Sequence, residues 1–460
     1  MAGIGFVLRK LAARDDLAGI FQGYLYSAII SSGPWLFTII TIAALVAIGS
    51  NFLYPEEITN FRIIIIYNFA FSLVLSAPVF MIATRYLADL IYAEQVEKAT
   101  GMYLGAMTLM FATQAIIVVP FYFLYVDLQP LERIGAVTNY FLITGIWLAS
   151  VFITALKDYQ SVTRTFAVGM IASFGSTLLL SADFGAAGML AGFNFGLLII
   201  LFSLSARVFA EYPDRPQHAW DFMSYFKKYW PLALGGLMYN LAIWVDKWIM
   251  WFAPEREIHL NGMISNPDYD AAMFLAYLSI VPALALFTFN IETRFYERYL
   301  RFYQDIQNHA NYDRIEQNHI SIWEAIGQSA RSLLILQISI VLIAIFFAPT
   351  VLKYLGISLT QLGIFRFGLL GALFHILALF LTVVLSYFDV RKQALAVSTF
   401  FFVTNGLFTW YTLSMGFAWH GLGYAASSIL TFALAYILVS RHVRNLPYQT
   451  FIARNISVGN

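Results

Sequence analysis

Long apolar stretches follow one another along almost the whole chain, and short polar segments separate them. A helix that crosses the hydrocarbon core of a bilayer needs about 20 mostly apolar residues. Twelve stretches meet this requirement, at residues 22–48, 63–87, 102–125, 134–156, 163–181, 185–208, 229–252, 271–293, 332–354, 362–386, 394–414 and 419–440. The sequence therefore predicts an all-α integral membrane protein of about twelve transmembrane helices.

Composition supports the same interpretation. Hydrophobic residues make up 60% of the 460 residues and charged residues 12%, against about 45–50% and about 25% in soluble domains. The absence of cysteine excludes disulfides and thiol chemistry, and a net charge of +1 gives no general attraction for nucleic acid. The chain has no phosphate-binding glycine-rich loop, no HExxH and no GxSxG. We therefore expect neither an enzyme nor a bound cofactor or metal.

The distribution of Lys and Arg predicts the orientation of these helices. With the N-terminus in the cytoplasm, only Arg62, Arg133, Arg256 and Lys353 fall outside. Lys247 and Arg366 fall within spans, which leaves 21 of the 27 basic residues on the cytoplasmic side. Cytoplasmic loops of membrane proteins carry such an excess, so both termini are expected inside.

The order of the spans predicts two six-helix lobes. The predicted parts are a cytoplasmic amphipathic segment at 1–21, a first lobe at 22–208, a cytoplasmic linker at 209–228, a second lobe at 229–440 and a cytoplasmic tail at 441–460. The second lobe includes a cytoplasmic loop at 294–330. Apolar residues at helical spacing in this loop and in 4–18 favour helices that lie in the membrane interface, although solvated connectors would also fit.

Few ionisable residues fall within the spans, where each costs about 2.5–3.5 kcal/mol at mid-bilayer. Asp246 and Lys247 in the seventh span and Arg366 in the tenth have similar predicted depths. They could form a charge cluster around a hydrated transport cavity, or the two cations could reach the outer headgroups with Asp246 as a structural partner. Arg85, Glu292 and Arg207 lie near cytoplasmic ends, from which their side chains can extend to the interface. His375, which has no second His or Cys nearby, is interpreted as a hydrogen-bonded packing residue.

Polar side chains also recur along the seventh span. Asn240, Trp244 and Lys247 have the spacing of one helix face, which could line an aqueous lumen or make hydrogen bonds between helices. The other amides predicted within spans are Asn68, Gln114, Asn194, Asn290 and Asn405, and packing is the expected role of each.

The middle of the first span has the sequence Ser31-Ser32-Gly33-Pro34-Trp35. Proline removes one helical hydrogen bond and clashes with the preceding turn, so Gly33 and Pro34 predict a kink. Trp35 and Trp147 fall near mid-span, away from the interface that Trp usually occupies. Their rings could stack on a carbohydrate in a hydrated lumen, or simply pack.

The segments Met1-Ala2-Gly3-Ile4-Gly5-Phe6 and Leu8-Arg9-Lys10-Leu11, followed by Ser31-Ser32-Gly33-Pro34-Trp35, resemble the PelG family of Pel exopolysaccharide transporters. Length and helix number are similar too. The family resembles the flippase superfamily of polysaccharide exporters, lipid II flippases and multidrug antiporters (MATE-like proteins).

The resemblance implies two six-helix lobes around a central, alternately open cavity, and passage of the N-acetylhexosamine-rich Pel polymer across the bacterial inner membrane. It also implies a synthase complex with the glycosyltransferase PelF and the membrane proteins PelD and PelE, of which PelD senses cyclic di-GMP. It assigns no lumen residues one by one.

Two other classes of transporter fit the same sequence, namely an ion-coupled small-molecule or multidrug antiporter that uses Asp246 and a flippase for lipid-linked oligosaccharides. A membrane-embedded glycosyltransferase fits less well, because it would need a loop with paired acids or an Arg/His cluster at the bilayer surface.

Overall fold

The computed structural model describes residues 17–155, 158–356 and 358–453, and most of them are helical. Contacts divide the chain into two compact units. Among the described residues, the amino-terminal unit comprises Ser32–Trp244 and Pro254–Asn266. The carboxy-terminal unit comprises those within 17–31, Val245–Ala253 and 267–453. Two helices, the first and the seventh, therefore contribute residues to both units.

The amino-terminal unit is built from the following elements, with a 3₁₀ turn at Val96–Lys98 and a π-helical turn at Phe121–Tyr125: α1 (Leu17–Gly49, from Ser32 onward), α2 (Pro55–Tyr92), α3 (Ala99–Pro120), α4 (Pro130–Ala155), α5 (Tyr159–Glu211), α6 (Met223–Lys228), α7 (Trp230–Met250, as far as Trp244), β1 (Glu257–Ile258) and β2 (Ile264–Ser265).

Helix α4 forms the centre of this unit, where it packs against α2, α3 and α5. In the apolar 18-residue stretch of α4, 67% of the residues are buried, whereas only 22% are buried in the corresponding stretch of α3 and its π turn. Because α3 is apolar yet exposed, its outer face requires an apolar solvent. The unit therefore presents a lipid-facing surface around a packed centre.

Helix α5 turns back on itself at Gly185, whose φ of 53° lies in the left-handed region that glycine adopts without strain. Side chains then join the two halves: the Ser173 hydroxyl donates to the Phe193 carbonyl at 3.3 Å and the Ser176 hydroxyl to the Gly192 carbonyl at 2.8 Å. The predicted spans 163–181 and 185–208 are the two antiparallel halves of α5.

The polar segment after α5 packs against the start of α3. A Cβ atom at Gly101 would lie 1.8 Å from the Gln217 carbonyl oxygen, and one at Gly105 would lie 2.0 Å from the Ala219 carbonyl oxygen. The Thr100 hydroxyl also donates to the Tyr212 carbonyl. The two glycines, one helical turn apart, therefore let this segment lie directly on the helix backbone.

A short antiparallel hairpin, β1–β2, lies against the start of α2. Tyr67 joins the two, because its hydroxyl donates to the Ile264 carbonyl at 2.6 Å and accepts from the Ile264 amide at 3.1 Å. Asn261 at the turn donates to Asn60 at 3.0 Å. The hairpin belongs to the predicted outer loop and is anchored rather than free.

The carboxy-terminal unit is built from the start of α1, the end of α7 and the following elements, with a π turn at Ile291–Phe295, 3₁₀ turns at Leu359–Gln361 and Phe417–Trp419, and a final π turn at Gln449–Ala453: α8 (Pro267–Leu278), α9 (Val281–Asn290), α10 (Tyr296–Gln307), α11 (Tyr312–Tyr354), α12 (Leu362–Tyr387), α13 (Arg391–Ser414), α14 (Leu422–Arg444) and α15 (Leu446–Tyr448).

Helix α12 is the centre of the carboxy-terminal unit and packs against α8, α11, α13 and α14. In its apolar 18-residue stretch, 72% of the residues are buried. Two glycines bring its neighbours close: a Cβ atom at Gly368 would lie 2.7 Å from the Ala276 Cβ, and one at Gly371 would lie 2.3 Å from the Tyr424 ring. The hydrophobic effect does not drive the association of helices in lipid, so close packing must do so, and small residues permit that close approach.

Helices α10 and α11 form an antiparallel pair in the predicted cytoplasmic loop. The Arg298 guanidinium donates to the Ser321 carbonyl at 3.0 Å, and Asp305 accepts from Arg314 and Asn318, each at 2.7 Å. The predicted span 332–354 is only the second half of α11, whose first half continues the same helix beyond it.

Ten helices in the described part of the chain are long and apolar enough to span a membrane. This count takes the two halves of α5 as one helix, Gln160–Glu211, and omits α7. Asn240, Asp246 and Lys247 lower the mean hydropathy of α7. The prediction of an all-α, multi-pass membrane protein is confirmed, and the exact number of twelve spans stays a prediction.

Candidate functional site

A charge pair lies in the last two turns of α7. Asp246 is completely buried and Lys247 is 9% exposed. The Lys247 ammonium donates to both carboxylate oxygens, at 3.2 Å to Oδ1 and 3.1 Å to Oδ2. A buried carboxylate is costly without a partner, so the pairing with Lys247 accounts for a buried acid in this helix.

Two further helices reach the same carboxylate. The Tyr269 hydroxyl on α8 donates to Asp246 Oδ2 at 2.8 Å, and the Asn405 amide on α13 lies 3.4 Å from Oδ1. Asn405 is itself oriented by the Thr409 hydroxyl, which donates to its side-chain oxygen at 3.2 Å. Asp246 therefore joins α7, α8 and α13 through hydrogen bonds.

Aromatic rings surround the ammonium on its other side. Lys247 Nζ lies 4.5 Å from the ring centroid of Tyr277 on α8 and 6.0 Å from that of Tyr424 on α14. The Tyr424 hydroxyl in turn lies 2.9 Å from Nδ1 of His375 on α12. Cations are attracted to such ring faces, most strongly when water is excluded. We call the set Asp246, Lys247, Tyr269, Tyr277, His375, Asn405 and Tyr424 the ion-pair cluster.

The other residues of the predicted charge cluster lie elsewhere. Arg366 is exposed, and within the described residues it makes no ion pair with Asp246, so Lys247 is the cation that balances the carboxylate. The Asn240 amide donates to the Gly236 carbonyl of its own helix at 2.9 Å. Trp244 is partly exposed on α7. Whether these residues line a transport route stays a prediction.

The residues predicted as a kink and as carbohydrate contacts belong to the amino-terminal unit. Helix α1 continues through Gly33 and Pro34 without a break. Trp35 is 40% exposed. The Trp147 indole N–H donates to the Ser72 hydroxyl at 3.2 Å, and its ring contacts Phe69 edge-on. The ring of Trp35 is therefore the more accessible of the two.

Buried amides in the amino-terminal unit form a hydrogen-bonded chain. Asn68 donates to Asn139 at 2.8 Å, Asn139 donates to Asn194 at 2.8 Å, and the Tyr122 hydroxyl donates to Asn68 at 2.7 Å. Gln114 accepts from Thr144 at 3.1 Å in the same unit. These contacts join α2, α3, α4 and α5, which is the packing role expected of such amides.

Glu292, near a predicted cytoplasmic helix end, does not extend to solvent. The residue is only 3% exposed and accepts a 3.2 Å hydrogen bond from the Tyr387 hydroxyl. The reason is the π-helical turn Ile291–Phe295, which α10 and α11 then cover. The position of Glu292 near a helix end did not predict that α10 and α11 would cover it.

An apolar pocket of about 370 Å³ lies on another face of the end of α7. Its lining residues are Val245, Trp248, Ile249, Phe252, Trp410 and Leu413. None of these side chains carries a charge, so the pocket is chemically separate from the ion-pair cluster. No group of three or more His, Asp or Glu that could hold a metal ion occurs in the described ranges.

Sequence reasoning missed three members of the ion-pair cluster. Tyr269, Tyr277 and Tyr424 are tyrosines within apolar segments, where a hydroxyl needs a hydrogen-bond partner. Tyr269 follows Asn-Pro-Asp at the start of α8, so it could be taken for an interfacial residue. The buried acid one span earlier was the available signal that such a donor is needed.

The model of the PelG family of exopolysaccharide exporters (EPS-E) matches residues 1–451. The chain belongs to the PelG family. The resemblance of its opening segments and of Ser31–Trp35 is thereby confirmed. No curated protein sequence matches this PelG family member.

Solved structures share the fold of this PelG family member. An outward-facing multidrug resistance MATE family transporter of the MOP superfamily matches with a TM-score of 0.65 and 13% identity, over 97% of this chain and 99% of the other. An inward-facing MATE family transporter matches with a TM-score of 0.58 and 12% identity, over 92% of this chain and 95% of the other. A MOP superfamily transporter from Pyrococcus furiosus matches with a TM-score of 0.61 and 13% identity, over 92% of this chain and 96% of the other.

These likenesses show the fold and not the substrate. With the family match they identify this PelG family member as a multi-pass membrane transporter of MATE-like fold. The ion-pair cluster joins α7 to α8, α12, α13 and α14, which belong to candidate membrane spans, and ionisable residues within membranes often mark transport pathways.

Proposed function

We propose that this protein exports the Pel exopolysaccharide, an N-acetylhexosamine-rich polymer, from the cytoplasm to the periplasm across the bacterial inner membrane. The observation that carries the proposal is the match to the exopolysaccharide exporter family over residues 1–451. The fold is consistent with it, because the solved neighbours are membrane transporters.

Export by this protein is proposed to occur within a synthase complex that contains PelD, PelE and the glycosyltransferase PelF. The antiparallel pair of α10 and the first half of α11 supports a soluble partner, because it extends the carboxy-terminal unit into the predicted cytoplasmic side. This pair exposes Tyr312, Ile320 and Trp323, and exposed aromatic residues are typical of protein interfaces.

We also propose which residues take part in transport. Asp246 and Lys247 supply the ion pair of α7, and Asn240 and Trp244 extend the polar stripe along that helix. Trp35, 40% exposed, offers a ring face to a sugar, which stacks its C–H groups on aromatic rings. The division into six-helix lobes at 22–208 and 229–440 is kept as part of this proposal.

The proposal is tested in a strain from which the gene is deleted. Complementation with the wild-type chain should restore polymer outside the cell, measured with a lectin that binds N-acetylhexosamine, and the chain should co-purify with PelF. Polymer that reaches the outside in the deletion strain would contradict the proposal, as would rescue of drug efflux without rescue of polymer.

Asp246→Asn separates a transport role from a structural one. If Asp246 lines the route, the variant should reach normal abundance and export much less polymer. If the residue is only a structural partner, abundance should fall because Lys247 loses its counter-charge, and Asp246→Asn with Lys247→Met should recover it. Asp183→Asn, which changes an exposed acid, is the matched control. Full export by Asp246→Asn at normal abundance would exclude both roles.

A further inference from the structure

The Lys247 ammonium occupies a place that has the chemistry of a monovalent cation site. It lies within 3.2 Å of both oxygens of a fully buried carboxylate and 4.5 Å from the centroid of the Tyr277 ring. The Tyr269 hydroxyl and the Asn405 amide contact the same carboxylate. The ammonium therefore lies against two carboxylate oxygens and a ring face, which are groups that a small monovalent cation can also bind.

The geometry within α7 makes this pairing unusual. Side chains at neighbouring positions of an α-helix point about 100° apart and do not face each other. The Lys247 Nζ nevertheless lies within 3.2 Å of both carboxylate oxygens and 4.5 Å from the Tyr277 ring centroid. Nothing in helix geometry favours that position, so the attraction of the buried charge holds the ammonium there.

A buried carboxylate in a spanning helix requires a positive partner, which can be a side chain, a bound ion or its own proton. We propose that Lys247 is a tethered cation that fills the cation site at Asp246, so that this carboxylate binds neither Na⁺ nor a coupling proton while the pair is closed. The inference goes beyond polymer export, because it concerns which ions the protein can use and does not depend on the substrate.

Among the described residues, titratable groups from several helices face the pair, and the Asp270 carboxylate is a second acid close to Tyr269. The titratable groups that face it are Tyr269 and Tyr277 on α8, His375 on α12 and Tyr424 on α14, and Asp270 on α8 accepts a 2.9 Å hydrogen bond from the Trp251 indole. Arg366 on α12 is exposed. Asp246 and Lys247 thus neutralise each other.

Replacing Lys247 by a neutral residue should turn the ion-pair cluster into a binding site for a free cation. The full-length purified protein in lipid nanodiscs is melted in NaCl and in choline chloride at equal ionic strength, at about pH 6 and about pH 8. At each pH the wild-type melting temperature should be the same in NaCl and in choline chloride. Relative to the wild type at the same pH, Lys247→Met should gain melting temperature in NaCl over choline if Na⁺ enters, or at the lower pH if a proton does, because ligand binding to the folded state raises its stability.

Two controls give the experiment its specificity. Asp246→Asn with Lys247→Met lacks the carboxylate and should lose the new cation dependence. Lys353→Met changes an exposed lysine at the end of α11 and should behave as the wild type does. Since the readout is cation binding by the purified protein, its result is independent of whether the exported polymer is Pel.

Several outcomes would overturn the proposal. One is a wild-type melting temperature that rises in NaCl over choline, with the rise abolished by Asp246→Asn. Another is a Lys247→Met protein that responds neither to Na⁺ nor to pH. If Lys247→Met yields no folded protein, recovery of folding in the double variant supports the tethered cation, and failure of the double variant shows a packing role and contradicts it.

Discussion

Tyr269 on α8 donates a 2.8 Å hydrogen bond to Oδ2 of Asp246, 23 residues earlier on α7. Both side chains are completely buried. Tyr269 is thus the neutral donor that completes the surroundings of a carboxylate whose charge is balanced by Lys247. A single hydroxyl joins the end of one helix to the start of the next.

Tyr269→Phe should lower the stability of the purified protein by about 1–3 kcal/mol, because it leaves a buried carboxylate oxygen with fewer donors. The midpoint of denaturant-induced unfolding measures this change. Tyr411→Phe, at a tyrosine that is 66% exposed, is the control and should leave the midpoint unchanged. Equal midpoints for both variants would show that the hydroxyl contributes nothing.

Gly371→Ala should destabilise the protein by about 1–3 kcal/mol, because the added methyl would lie 2.3 Å from the Tyr424 ring and force α12 and α14 apart. Gly327→Ala on α11 is the matched control, since a Cβ atom there meets no other atom within 4 Å. That control should be neutral or stabilise by about 0.5–1 kcal/mol, as expected for Gly to Ala in a helix. A thermal melt of the two variants distinguishes the effects, and the reverse order would contradict the packing of α12.

The β1–β2 hairpin should become less protected as the pH falls. Burial lowers the pKa of His259, with Arg62 acting in the same direction and Glu257 opposing it. Because the pKa in the folded protein lies below the ordinary 6.5, stability from neutral His259 is complete above that value and is lost as the pH falls through the folded pKa. Amide exchange of residues 257–265, corrected for intrinsic rates, should be faster at about pH 5.5 than at about pH 7.5.

His259→Gln provides the comparison for that experiment. Glutamine retains a polar group that can reach the Ser265 hydroxyl, which lies 2.8 Å from His259 Nε2, but it does not titrate. The variant should show equal protection at both pH values. A pH response that persists in it would assign the effect to another group.

The predicted orientation can be tested with single cysteines, because the native chain has none. A membrane-impermeant thiol reagent added to cells with a permeabilised outer membrane should not label Ala310→Cys and should label Leu260→Cys, whose native side chain is 81% exposed. Lysis should make position 310 reactive. Labelling at 310 before lysis would reverse the inside and outside assignments.

The length of the apolar stretches and the composition were enough to predict the fold class, because a bilayer imposes the same length and composition on every spanning helix. Hydropathy also separated the two halves of α5, whose turn at Gly185 falls at the first residue of the predicted span 185–208. The extent of α11 was not predictable in this way. Its first half is polar, so hydropathy places the start of the span at residue 332, although the helix begins at Tyr312.

The candidate site was predictable only in part. Asp246 and Lys247 stand out because charges in spans are costly, but equal depth also suggested Arg366, which the structure leaves exposed. Depth along a helix does not fix the direction in which a side chain points. The tyrosines of α8 and α14 enter the cluster through packing between helices, which depends on Gly371 and on contacts that a single sequence does not reveal.

The continuity of α11 has a mechanical consequence. A helix of 43 residues is about 64 Å long at 1.5 Å per residue, whereas the hydrocarbon core is about 30 Å thick. The helix runs from Tyr312 to Tyr354 and its one proline, Pro349, lies in the last two turns, so tilting or twisting its first half must displace the part that follows. Helix α11 therefore acts as a stiff lever through which force applied at its polar end would reach the membrane-embedded part of the same helix.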